Sequence, residues 1–149
     1  MVIMNAGGFP SGVNLDNLLR VQSTPRNRLL ADVLAKTGIV ERSGQGVDKI
    51  FKNTLSEGKD APDYTHSDPF RVELHLSATI KDKAFAMFLN SEQRDLPEEE
   101  RLSVFEVIAL NKIRQGDSQQ VAKEMIDKLL NRGLIEKRGK TRGVYYILA

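Results

Sequence analysis

The clearest periodic signal lies at residues 70 to 76, where Phe70, Val72, Leu74 and Leu76 alternate with Arg71, Glu73 and His75. That is the period of a strand buried on one face, and it leaves His75 on the polar side. Residues 2 to 4 read as the end of another strand, followed by the turn-rich NAGGFPSG. Between the two the pattern is helical. Asn14 can cap a short helix over Leu15, Leu18 and Leu19, and Pro25 then disfavours helix at Thr24. Residues 26 to 37 place Leu29, Leu30, Val33 and Leu34 on one face before Gly38, and a further helix carries Val47, Ile50, Phe51 and Leu55 up to Gly58.

After residue 78 the period becomes helical again. Residues 81 to 93 predict one helix, and Pro97 suits the first position of the next, with Glu98, Glu99 and Glu100 at its positive end. Leu102, Phe105, Ile108 and Ala109 lie along that second helix. Asp117 or Ser118 can cap a third, whose Val121, Ala122, Met125, Ile126, Leu129 and Leu130 form a broad apolar stripe that Gly133 ends. LIEKR, the turn GKTRG and VYYILA then read as a hairpin. Helices followed by a basic hairpin is the order of a winged helix. Only Gln115, Gly116 and Asp117 separate the last two helices, so the short middle helix of a full helix-turn-helix is missing unless residues 81 to 93 supply the first member, and either way the arrangement is atypical.

Composition narrows the function. At 149 residues, 40% hydrophobic and 28% charged, the chain suits one folded domain or two small ones. It has no cysteine, which excludes disulfides and thiolate chemistry and suits a reducing cytoplasm. His66 and His75 are too few for a histidine zinc site, no GxSxG exists, and no carboxylate pair has a spacing that marks acid–base work. No catalytic residue and no metal is therefore expected. The N-terminus lacks the basic region of a signal peptide, and no apolar run nears the roughly 20 residues of a membrane helix.

Charge changes the picture once it is divided along the chain. Residues 107 to 149 carry nine Lys and Arg against four Asp and Glu, a net +5, whereas residues 81 to 106 carry four against seven, a net −3. A basic C-terminal end asks for a nucleic-acid partner. Ser118, Gln119, Gln120, Lys123 and Lys128 on the exposed side of the third helix are types that bond base edges or phosphates. Arg132, Lys137, Arg138, Lys140 and Arg142 crowd the hairpin as phosphate contacts.

The remaining candidate is ERSGQGVDKIF at residues 41 to 51, a glycine pair running into a helix, which is the form of an anion cradle and also of an ordinary turn. A dinucleotide fingerprint would need glycine where Lys49 stands, and a phosphate loop would need glycine in place of Asn53, so both motifs fail. The combination is more specific. NAGGFPSGVNLDNLL followed by STPRNRLLADVLAKTGIVERSGQGVDKIF closely resembles the bacterial Schlafen-type AlbA-like regulator family, whose members are often labelled transcriptional regulators or RecG-like ATP-dependent DNA helicases. The pattern NPGGFP, STPRNPLLA, GLVERxGxGxxKI is met with Ala6 and Arg28 where proline is common.

The resemblance covers about residues 3 to 78 and implies an α+β chain in two parts. Residues 1 to 78 would be the C-terminal tail of an α/β domain likened to histidine-kinase-type ATPases, and residues 79 to 149 a winged-helix-like domain. It implies a degenerate nucleotide site of Asn5, Gly7 and Gly8 with Gly44 and Gly46, and Arg26 and Asn27 between them as a lid. Glu41 and Arg42 would form an ion pair in the same motif. The resemblance leaves ATP as a cofactor for a longer protein and none for this chain. Three functions follow: a DNA-binding transcriptional regulator, part of an ATP-dependent helicase-like remodelling protein, or a winged-helix module that makes homodimers.

Overall fold

The computed structural model describes residues 1 to 41, 43 to 140 and 143 to 149. The order of elements is β1 (Val2–Ala6), α1 (Arg28–Lys36), α2 (Gly46–Ser56), β2 (Arg71–His75), α3 (Lys83–Gln93), α4 (Val104–Arg114), α5 (Lys123–Asn131), β3 (Ile135–Arg138) and β4 (Tyr145–Leu148), with 3-10 turns at Glu98–Glu100 and Ser118–Gln120. The class is α+β: β1 pairs antiparallel with β2, and β3 with β4. The chain divides into two compact units, Met1–Thr54 with Lys59–Lys81, and Leu55–Gly58 with Asp82–Ala149.

In the first unit, Ile3 and Asn5 stand opposite Leu74 and Val72 on one face of the β1–β2 sheet. Tyr64 and Leu74 are buried, and Tyr64 stacks against Phe51 of α2 with ring centroids 6.4 Å apart. Asn27 caps α1 by accepting from the Leu30 N–H at 2.9 Å, and Gly38 ends it with a left-handed φ of 73°. Two expectations fail here. No helix forms at residues 14 to 19, because the Asn14 side chain accepts from the N–H groups of Asp16 and Asn17 and fixes a turn instead. Phe70 is 83% exposed and precedes β2, since Asp68 Oδ1 accepts the N–H groups of both Phe70 and Arg71 and holds them in a turn.

The second unit closes a core from Leu55, Phe85 and Leu89, Leu102, Val107, Leu110 and Ile113, Ile126 and Leu129, and Leu134 and Ile135. Fully burying each such side chain contributes roughly 1.5–3 kcal/mol. Asp82 caps α3 through the Phe85 N–H at 2.8 Å, and its other oxygen takes Arg114 Nη1 at 2.5 Å. Arg114 also lies over the Phe85 ring, 4.5 Å from its centroid.

The helix expected from Pro97 starts later. Glu98–Glu100 makes a single 3-10 turn, the backbone extends at Arg101, and α4 begins after Ser103, where Ser103 and Glu106 form a reciprocal capping box. The helix expected from Ser118 also starts later. Val121 takes an extended backbone, φ −100° and ψ 128°, that lets its side chain pack on the core, and α5 begins at Lys123.

Candidate nucleic-acid interface

The 3-10 turn of Ser118–Gln120 fills the place between α4 and α5 where the sequence left no middle helix. Gln119 and Gln120 are exposed on it and Ser118 is half-buried, while Lys123 is exposed at the start of α5. The hairpin follows with Arg138 paired to Tyr145 and Lys137 to Tyr146. Lys137, Arg138 and Lys140 are exposed around its tip. Arg142, expected beside them, lies outside the described residues.

Of the nine expected nucleic-acid residues that are described, Arg132, Lys128 and Arg138 are already engaged. Arg132 donates through Nη1 to Glu106 Oε1 at 2.7 Å and through Nη2 to the Glu100 carbonyl at 2.9 Å. Lys128 Nζ lies 3.3 Å from the same Glu106 oxygen, and Arg138 pairs with Glu136. Glu106 is 1% exposed. Burial pushes its carboxyl up, but the Ser103 N–H and hydroxyl, together with Arg132, hold it down at about 2. Sequence reading missed Glu106 as a site residue. Its signal was the Ser-x-x-Glu spacing, outweighed by Pro97 upstream. Lys123, Lys137 and Lys140 pair with no described residue through their side chains.

The residues expected to hold nucleotide divide between two clefts of the first unit. Asn5, Gly7, Gly8 and Arg26 line one of about 620 Å³, with Ile3, Val47, Ile50, Val72 and Leu74 making most of its wall apolar. Gly44 lines another of about 590 Å³ beside Ser23 and Asp48. Asn27 is the cap of α1, and Gly46 is the first residue of α2. Two of the expected glycine amides bond within the fold: Gly7 donates to the Phe70 carbonyl at 2.5 Å and Gly8 to the Pro69 carbonyl at 3.0 Å. A Cβ at Gly8 would stand 2.7 Å from the carbonyl oxygens of Asp68 and Pro69, so glycine here permits a close chain approach. Asp48 occupies the first turn of α2, where its carboxylate opposes an anion, and burial raises its pKa. Glu41 pairs with Lys49 at 3.5 Å, and Arg42 lies outside the described residues.

His75 is less free than its place in the pattern suggests. It donates through Nε2 to Glu73 Oε1 at 2.6 Å and stacks on His66 with centroids 4.5 Å apart. That hydrogen bond is the main cause holding Glu73 below the usual carboxylate range. His66 approaches Asp63 at 3.7 Å. Among the described residues no group of three or more such side chains is placed to hold a metal ion, and no helix is long and apolar enough to cross a membrane.

With these features placed, comparison with known proteins bears on the first unit. Residues 1–74 match the family described as "Putative ATP-dependent DNA helicase recG C-terminal". This RecG-like segment takes in β1, α1, α2 and β2 up to Leu74. No curated protein matches the chain. Among solved structures, the DIP2311 protein of Corynebacterium diphtheriae is similar with a TM-score of 0.65 over 99% of this chain at 22% identity, a likeness of fold. The chain spans 28% of that protein's length.

Proposed function

We propose that this chain is the DNA-binding end of a transcriptional regulator, with no enzymatic activity of its own. The observation that carries the reading is the run of α4, a 3-10 turn, α5 and a hairpin, with Lys123, Lys137 and Lys140 exposed and unpaired among the described residues. Read as a winged helix, the 3-10 turn stands for the short middle helix, α5 for the recognition helix and the β3–β4 hairpin for the wing. Gln119, Gln120 and Lys123 would face base edges, and Lys137 and Lys140 the sugar–phosphate backbone.

Duplex binding followed by fluorescence anisotropy across a salt series tests this. Each phosphate contact removed lowers the log–log salt slope by about 0.9, so Lys137→Ala with Lys140→Ala is expected to weaken every duplex and flatten the slope by about two. Gln119→Ala with Gln120→Ala is expected to change the preference among sequences. A Lys137→Ala, Lys140→Ala variant that binds as tightly as the parent at low salt removes the wing from the interface.

A second reading, a part in ATP-dependent nucleic-acid remodelling by a longer protein, is favoured by the helicase wording of the family that residues 1–74 match. Because the Gly7 and Gly8 amides bond within the fold, titration of this chain with Mg-ATP is expected to show weak binding or none and no hydrolysis. Micromolar affinity would move the second reading ahead.

A further inference from the structure

The register of the β3–β4 hairpin decides which way its side chains point. Ile135 is buried, and Tyr146 and Leu148 pack against the core of the second unit. The alternate positions, Glu136 and Arg138 on β3 with Tyr145 and Ile147 on β4, therefore form an outer face. Tyr145 is 54% exposed and Ile147 37%. Among the described residues the second unit exposes two other large apolar side chains, Met87 and Phe105, so half of its exposed apolar set shares this one small face. No described ring or guanidinium stacks on Tyr145. Arg138 is its cross-strand neighbour, and Lys140 lies in the turn just beyond. Arg138 pairs with Glu136, but both side chains are exposed, and such a pair is weak enough to exchange for a phosphate. On α5, by contrast, Glu124 and Asp127 are exposed beside Lys123, so the excess of positive charge falls on the hairpin.

Resting on the nucleic-acid reading above, we propose that this outer face is a stacking platform for an unpaired base. Tyr145 takes the base, Ile147 extends the apolar surface, and Arg138 and Lys140 hold the adjoining phosphates. An exposed aromatic face flanked by cations fits a flat ring followed by an anion. Inside a duplex the base faces are covered by their neighbours and only the edges are offered, so the ring comes from an unpaired nucleotide. The partner is thus nucleic acid with a single-stranded stretch.

Fluorescence anisotropy of the whole chain with an oligothymidylate of about 16 nucleotides, and separately with a blunt duplex, is the test. Tyr145→Ala is expected to weaken the single strand by about 5- to 150-fold and to leave duplex binding and circular dichroism unchanged. Tyr145→Phe is expected to keep the affinity. The chain has three tyrosines and no tryptophan, so its own emission reports the stacking: quenching by the single strand is expected in the parent and largely lost in Tyr145→Phe. A parent that binds the duplex but not the single strand, a Tyr145→Ala variant as tight as the parent on the single strand, or one weakened equally on both probes would overturn the platform and leave the nucleic-acid reading standing. A parent that binds neither probe overturns both.

Discussion

Among the described residues, twelve of the sixteen exposed large apolar side chains lie in the first unit, and thirteen of the fifteen buried apolar ones lie in the second. Helical periodicity is equally plain in both. In α1 the face of Leu29, Leu30 and Val33 is exposed, whereas α4 hides Val107, Leu110 and Ile113. Periodicity thus tells which side of an element is apolar and not whether anything covers it. The second unit is held by burial and by one buried ion cluster, and the first by the β1–β2 ladder and its turns.

The sharpest way to break this contrast is Glu106→Ala, which leaves Arg132 beside an uncompensated site and is expected to cost about 3–5 kcal/mol in urea unfolding. A loss below about 1 kcal/mol, typical of surface pairs, would place the cluster among them. Next comes a matched pair: Leu110→Ala is expected to cost about 2–5 kcal/mol and Leu29→Ala under about 0.5 kcal/mol. Equal losses would mean that α1 is packed in solution.

Acid gives a third measure. The Glu106 carboxyl is depressed from 4.5 to about 2, so its contribution is complete above pH 4.5 and disappears as the pH falls toward 2. The loss is roughly 3 kcal/mol, to be read from chemical denaturation at pH 5, 3 and 2 and absent in Glu106→Gln. The last measure belongs to the first unit. Gly8→Ala forces a methyl against the Asp68 and Pro69 carbonyls and is expected to cost about 1–3 kcal/mol, seen as faster exchange of the Gly7 amide.

Much of the fold was legible in the sequence. The alternation at Val72 and Leu74, the stripe of α5 and the glycines that end helices at Gly38 and Gly133 read directly, because each depends on local periodicity or on a single backbone conformation. Starts of helices were read too early. At Pro97 and Ser118 a good first-turn residue was present, but the choice rested on a competing cap at Ser103 and on Val121 reaching the core, which are tertiary facts. The same limit governs the site: the basic residues were visible, and their engagement was not, since Glu106 meets Arg132 across twenty-six positions of chain. The glycine pairs were visible as motifs, whereas the carbonyls that take the Gly7 and Gly8 amides come from Phe70 and Pro69, far along the sequence.

Glu106 stands one residue before the stretch whose net +5 first suggested a polyanion, and it acts as the internal counter-ion of α5. A duplex could draw Arg132 away only by leaving a buried carboxylate bare. Dissolved salt therefore separates two kinds of ionic contact in one unit: ions of the medium compete freely for Lys137 and Lys140 and hardly at all for Arg132. On the proposed DNA-binding reading, salt sufficient to strip nucleic acid from the hairpin would leave the α4–α5 junction intact, and release of the ligand would not loosen the second unit.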